Sequence, residues 1–285
     1  MTHRIGLVQM NSVEDFDTNL AFARKMIQQA SEEKLSLVAF PEMFLYVGEN
    51  QEEKNRIAQC LETFTLPLFQ EEASRHHISI LMGSVNEPSP DDATARSYNS
   101  SFLIDATGNV KAVYRKIHLC DIDSPNLKNI ESRNIKPGCQ AVVVPHEIGN
   151  IGLAICYDLR FPGLFQHLRL QGADIIFLPS AFFLQTGKDH WFPLLRARAI
   201  ENQVYIAAPA QWGHHYGNRV SYGNTVLIDP WGTVLACAPE YPCLIDGAID
   251  LEYLRRIRQN MPVLEHLRYE CYGMSGNSHP APSSS

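Results

Sequence analysis

Short apolar runs rich in Val, Ile and Leu alternate along the chain with longer segments whose apolar residues recur every three or four positions. The short runs read as strands and the longer segments as amphipathic helices, an alternation that predicts an α/β architecture. Strands are expected at His3–Met10, Leu35–Phe40, Ile78–Val85, Ser100–Ile104, Val110–Lys116, Ala141–Val144, Ile151–Ile155, Ile175–Leu178, Tyr205–Ala208, Val220–Ile228, Val234–Cys237 and Gly247–Leu251. These are too many for one ordinary open sheet, so two packed sheets are predicted. A first helix is expected where Phe16, Leu20, Ala23, Ile27 and Ala30 step by four and three and share one face. Further helices are expected from about Gln51 to His76, from Phe161 to Gly172 and from about His190 to Gln203. The last sets Trp191, Leu194 and Leu195 on neighbouring turns, open to reading as core or, with the Phe161–Leu170 segment, as a dimer surface.

Turn chemistry supports the boundaries. Asp105–Asn109 (DATGN) and Asp229–Gly232 (DPWG) each join two strand-like runs as hairpin connections do. The stretch Asp121–Gly138 is the longest irregular one, with two prolines, and loops of that length in compact domains are usually functional. It is expected to form the rim of a pocket. No linker divides the chain, so residues 1–273 are read as one domain and 274–285, small, polar and proline-containing, as a disordered tail.

Composition narrows the function. The chain has 285 residues, 45% of them hydrophobic, enough for a sizeable core. With 31 acidic against 24 basic residues the formal charge is -7, which leaves no basic surface for nucleic acid. No apolar run approaches the roughly 20 residues of a spanning helix, and the start resembles neither a secretory nor a transit peptide, so a cytoplasmic protein without a membrane partner is expected. The seven cysteines are scattered without a Cys-x-x-Cys pair, against both a disulfide framework and a thiolate zinc site. His76 with His77 and His214 with His215 are adjacent in sequence and diverge in direction, so no metal is expected.

Three polar residues stand where strands are expected to end: Glu42, Lys116 and Cys156. Ligands of α/β sheets bind outside the carboxyl ends of strands, so the three can converge on one pocket. Their types complete one reaction: a cysteine nucleophile, a glutamate base, and a lysine charge for the oxyanion of a tetrahedral intermediate. The backbone N–H of Tyr157 is a second candidate oxyanion donor. A papain-like alternative would pair Cys156 with His118 or His167.

The motifs FPE at Phe40–Glu42, YRKIHL at Tyr114–Leu119 and CYDLRFP at Cys156–Pro162, with HWFPLLRARAIENQ and DPWG downstream, resemble the nitrilase superfamily of carbon-nitrogen hydrolases from Ile5 to about Leu254. The resemblance implies a four-layer α-β-β-α sandwich, a Glu42, Lys116 and Cys156 triad, no organic cofactor, and a homodimer. It places a further pocket glutamate at Glu131, in IESRNIKPG. Within the superfamily the chain looks like the Nit branch, most of all the amidases acting on deaminated glutathione. The implied reaction is hydrolysis of a primary amide of a 2-oxo acid through a cysteine thioester, with release of ammonia. Deaminated glutathione ranks first as substrate. The amides 2-oxoglutaramate and 2-oxosuccinamate come second, and an N-carbamoyl amide is a further alternative. Such acids need a local cation in an acidic protein, and Arg160, four residues after Cys156, is the candidate for a two-pronged carboxylate contact. Tyr46, Ser180 and Phe182 are expected in the pocket wall. The non-enzyme alternative is an inactive sandwich kept as an interaction or thiol-sensing module.

Overall fold

The structure is a computed structural model describing residues 2–89, 96–124, 127–268 and 271. Its helices are α1 (Phe16–Glu32), α2 (Gln51–Gln59), α3 (Leu66–His76), α4 (Pro162–Leu170), α5 (Leu184–Asn202) and α6 (Leu251–Asn260). One sheet runs Cys243–Asp250, Thr2–Gln9, Leu37–Ala39, Ser79–Leu81, Ser97–Ile104, and both Val85–Pro88 and Val110–Arg115 pair with Ser97–Ile104. The other runs Val234–Cys237, Val226–Ile228, Tyr205–Ala208, Ile175–Phe177, Ile151–Leu153, Val142–Val144. Each holds three parallel strands at its centre, flanked by antiparallel ones.

The layering follows from side-chain alternation along the strands. In the first sheet Val8, Val38, Ile80 and Ile104 point to one face and join Leu20, Ala23 and Ile27 of α1 and Phe69 and Ala73 of α3. Their neighbours Ile5, Leu7, Leu37, Ala39, Leu81 and Leu103 point the other way and join the second sheet in a separate cluster. Phe165 and Leu168 of α4 and Trp191 and Leu195 of α5 belong to that second cluster too. The strands of the second sheet, buried on both faces, therefore carry continuous apolar runs such as Ile175–Phe177. The result is a four-layer α-β-β-α sandwich. Trp191 and Leu195 are fully buried, which resolves them as core rather than dimer surface.

Several expected elements divide. The segment Gln51–His76 is two helices joined by a π-helical turn, Leu61–Thr65, where Pro67 in the first turn of α3 has no N–H to continue the earlier helix. Ile78–Val85 breaks at Gly83, which has φ +36°. Val220–Ile228 breaks at Gly223 and Asn224, both at positive φ, so Val220–Tyr222 pairs with Trp212–His214 while Val226–Ile228 enters the second sheet. The stretch Asp121–Gly138 contains a hairpin, Asp121–Ser124 with Leu127–Ile130, followed by a 3-10 turn at Glu131–Arg133. The proposed tail, 274–285, lies outside the described residues.

Candidate active site

Three strand ends from two sheets meet at one end of the sandwich. Glu42 follows Leu37–Ala39 through Phe40 and Pro41, and Phe40 N–H still donates to Leu81 O, so the strand course continues one residue further. Gly83 lies so close that a Cβ there would overlap the Pro41 carbonyl oxygen; only glycine fits beside this turn. Lys116 follows Val110–Arg115, with its N–H bonded to Asn99 O at 2.9 Å. Cys156 follows Ile151–Leu153 in the second sheet and opens a 3-10 turn.

The nucleophile candidate sits at φ +45°, a left-handed conformation that costs a residue with a Cβ roughly 1–2 kcal/mol. Neighbouring bonds fix it there. Cys156 N–H donates to Pro179 O at 3.0 Å, and two residues on the fully buried Asp158 gathers the surrounding donors. Asp158 Oδ2 accepts from Ile155 N–H and the Tyr114 hydroxyl, both at 2.8 Å. Its Oδ1 accepts from His118 N–H at 3.0 Å and lies 2.7 Å from His118 Nδ1. The carboxylate thus ties the turn of one sheet to the Lys116 strand end of the other. The sequence reading missed Asp158 in this role, although it stands in the same motif as Cys156.

The polar groups then close a network. Lys116 Nζ donates to Glu42 Oε1 at 2.9 Å and to both oxygens of Glu131 at 2.9 Å. Glu42 Oε1 also accepts from Asn99 Nδ2 at 2.9 Å, and its Oε2 accepts from Ala181 N–H at 2.9 Å, across the sandwich. The Cys156 thiol is hydrogen-bonded to the Glu42 carboxylate. Glu131 accepts further from Asn99 Nδ2 at 3.2 Å and from Cys120 N–H at 2.7 Å. Its carboxylate is therefore engaged by Lys116 and the surrounding donors. Asn99, which the sequence reading left just outside an expected strand, holds both glutamates at once.

Burial and charge set the protonation states. Burial pushes the Cys156 thiol well above its ordinary value and the Glu42 charge adds to this, with Lys116 opposing. Burial also favours a neutral Glu42, but the Lys116 charge and the bonds from Lys116, Cys156 and Asn99 outweigh it and hold the carboxyl below its ordinary value. For Lys116 burial alone would favour the neutral amine, and Glu131 and Glu42 reverse this, raising it well above the ordinary lysine value. A carboxylate, an ammonium and a protonated thiol are therefore the resting forms of the three. That arrangement can pass a proton from sulfur to carboxylate as an electrophile arrives.

A cavity of about 180 Å³ opens on these groups. A single water needs about 10–15 Å³ on this scale, so a ligand of many heavy atoms can enter. Tyr46, Tyr157, Arg160 and Phe182 line it, as expected, with Ile122, Asn129, Ile130 and Asn134 from the rim segment. Ser180 does not: fully buried, its hydroxyl donates to Leu178 O at 3.0 Å, and the neighbouring Ala181 N–H makes the contact with Glu42 instead. The Arg160 guanidinium stacks against Tyr157 and Phe182, 5.6 and 5.2 Å from their ring centroids, and has no carboxylate partner among the described residues. The ion pair with Asp158 is absent because Asp158 is turned inward. Neither histidine alternative stands in the cavity wall. His118 is held by Asp158 and stacked on Phe161 at 3.7 Å, and His167 of α4 bonds Gln171, the residue that caps the helix. Among the described residues no group of three or more His, Cys, Asp or Glu is placed to hold a metal, and no helix is long and apolar enough to cross a membrane. Lys54 and Arg219, absent from the sequence-derived site, also line the cavity.

Residues 4–259 match the carbon-nitrogen hydrolase family. Deaminated glutathione amidase of Dictyostelium discoideum is 40% identical over 278 residues, 94% of this chain and 95% of its own. The enzyme of that name from Synechocystis is 42% identical over 262 residues, 91% of this chain and 96% of its own. The nitrilase and fragile histidine triad fusion protein NitFhit of Caenorhabditis elegans is 39% identical over 277 residues, 96% of this chain, but the chain spans only 63% of the fusion protein. The crystal structure of the C. elegans NitFhit protein matches with a TM-score of 0.90 at 39% identity, covering 95% of this chain and 66% of that one.

Proposed function

The chain belongs to the carbon-nitrogen hydrolase family and is a hydrolase acting on amides, and on that premise we propose that it cleaves the amide bond of deaminated glutathione through a thioester on Cys156. The observation that carries the reading is the protonated Cys156 thiol bonded to an ionised Glu42 beside the Lys116 ammonium, at the floor of a cavity also lined by Arg160, which contacts His190 Nδ1 at 3.3 Å and has no carboxylate partner among the described residues. Glu42 takes the proton as Sγ attacks the carbonyl carbon. Lys116 Nζ and the Tyr157 N–H hold the oxygen as it becomes negative. That N–H precedes the first bond of the 3-10 turn, from Asp158 N–H to Ile155 O, and the ends of such turns leave their first donors open. As the carbon–nitrogen bond breaks, Glu42 returns the proton to the departing amine. Water then adds to the thioester with Glu42 again as base, releasing the acid and restoring the thiol. Glu131 keeps the Lys116 ammonium in place throughout. Arg160 takes the 2-oxo acid carboxylate.

The chemistry of this substrate revises one expectation. In deaminated glutathione a 2-oxoglutaryl group is joined through an amide to the amine of cysteinylglycine. That amide is secondary, and the leaving group is a dipeptide rather than ammonia. Ammonia would leave only from a primary amide such as 2-oxoglutaramate or 2-oxosuccinamate. The deciding assay is therefore mass spectrometry of each hydrolysis: 2-oxoglutarate and cysteinylglycine from deaminated glutathione, 2-oxoglutarate or oxaloacetate with ammonia from the two primary amides, and the free amino acid with carbon dioxide and ammonia from an N-carbamoyl amino acid. Cys156→Ala is expected to abolish turnover with the fold retained. Turnover by that variant would overturn the mechanism, and fastest turnover of the carbamoyl compound would overturn the substrate. For the homodimer we propose a different surface from the expected one, the exposed Ile200, Trp231, Val234 and Leu235. Ile200 packs against the turn that carries Trp231, and sedimentation of the variant Ile200→Glu should reveal monomer.

A further inference from the structure

The triad and Arg160 leave part of the cavity unexplained. Lys54 of α2 and Arg219, which precedes the strand Val220–Tyr222, line it together with Tyr46, Asn86 and Tyr216. Arg219 Nε is buried and has no hydrogen-bond partner, while the guanidinium stacks 4.9 Å from the Phe183 ring centroid. Lys54 forms no ion pair among the described residues. Burial and the Arg219 charge both lower its pKa, and the acids that oppose them, Glu14 and Glu49, are exposed. Two cations thus share one wall, repel each other, and include a donor with nothing to donate to. Neither cation has a carboxylate partner among the described residues, so the pair calls for an anionic ligand. On the same wall Asn86 Oδ1 is a buried acceptor without a partner.

Arg160 occupies a different element, the turn that carries Cys156, where it packs on Tyr157 and Phe182. The cavity therefore offers two cationic positions on separate parts of the fold. We propose that Lys54 and Arg219 form a second anion subsite, which takes the terminal carboxylate of the departing half of the substrate while Arg160 holds the carboxylate of the acyl half. The inference rests on the reading of deaminated glutathione as substrate and deepens it. That molecule is a dianion with carboxylates on both sides of the scissile amide, whereas 2-oxoglutaramate has only one. The Arg219 guanidinium, which lines the cavity, supplies a charge-assisted bond and Lys54 a point charge.

The test compares deaminated glutathione, its C-terminal glycinamide and 2-oxoglutaramate on the wild type and on Lys54→Met/Arg219→Met. Wild-type turnover of deaminated glutathione, measured first, decides the functional reading separately: no turnover removes that reading and this subsite with it. With turnover established, the wild type should prefer the acid over the glycinamide by about 30-fold in kcat/KM, chiefly through KM, the scale of a hydrogen bond to a charged group. The double variant should lose that preference, and its loss on 2-oxoglutaramate should be at least tenfold smaller than on deaminated glutathione. Lys54→Arg and Arg219→Lys, which keep the charge, should retain most of the preference. Equal wild-type rates on acid and glycinamide, or equal losses on all three substrates, would overturn the subsite while leaving the catalytic reading intact.

Discussion

Replacing Glu42 by Gln keeps the side-chain shape and removes the proposed base, and its two consequences point in opposite directions. The carboxylate accepts from Lys116, Asn99, Ala181 N–H and the Cys156 thiol. An amide offers one oxygen, so its NH2 must face donors whichever way it turns, leaving at least one buried group unsatisfied at about 1–3 kcal/mol. Loss of a general base typically costs about 10² to 10⁴ in rate, or roughly 2.7–5.5 kcal/mol in the barrier. The thiol responds the other way. Burial is the larger cause of its raised pKa and remains, but the Glu42 charge disappears while Lys116 still favours the thiolate. In Glu42→Gln the thiol should therefore titrate at lower pH than in the wild type although turnover falls at least a hundredfold. Iodoacetamide labelling of Cys156 across pH, read by mass spectrometry of its peptide, measures the first effect and steady-state hydrolysis the second. A kcat within tenfold of wild type, or a thiol midpoint that is unchanged or higher, would show that Glu42 is not coupled to the thiol as described.

Lys116→Met keeps much of the stem volume and removes the oxyanion charge; kcat should fall about 10² to 10³-fold with little change in KM, and a kcat within tenfold of wild type would rule out the role. Arg160→Lys should raise KM for 2-oxo acid amides much more than for a neutral aliphatic amide, since only the former lose a two-pronged contact; equal effects would remove Arg160 from the acid-binding position. The pH profile follows from Glu42, whose folded-state carboxyl is held below its ordinary value of 4.5. The charged form and the stability it contributes are present above that value and are lost as pH falls through the lowered one, so kcat/KM should have no acidic limb between pH 7 and about 5. A limb centred near pH 6 would contradict the ionised resting state.

Much of this design was legible in the sequence. Glu42, Lys116 and Cys156 were found because each stands at the end of a strand marked by its own apolar run, and convergence at strand ends is a property of α/β sheets rather than of particular contacts. Residues acting through distant partners left no such mark. Asp158 binds Tyr114 and His118 through pairings that exist only once the sheets dock, and Asn99 joins Glu42 to Glu131, 57 and 32 positions away in the chain. Lys54 reads as an ordinary charge on an exposed helix, and Arg219 as a loop residue. Element boundaries failed where packing overrode local propensity. α5 begins at Leu184 rather than near His190, and Gly187 hides its first turn from a propensity reading, because a Cβ there would overlap the Tyr222 ring. Gly83 and Gly223 likewise interrupt apolar runs whose composition alone would continue them.

The edge strand Cys243–Asp250 lies antiparallel against Thr2–Gln9, joined also by Arg4 to Asp246, 242 positions apart. During synthesis the first sheet must therefore wait, its opening strand lacking a hydrogen-bonded neighbour on one side, until nearly the whole domain has left the ribosome. Such long loop closures are entropically slow and leave an unpaired strand edge exposed in the interim. The sheet that carries Glu42 and Lys116 is thus completed last. Folding helpers that shield strand edges should matter more for this protein's yield than those that act on finished domains.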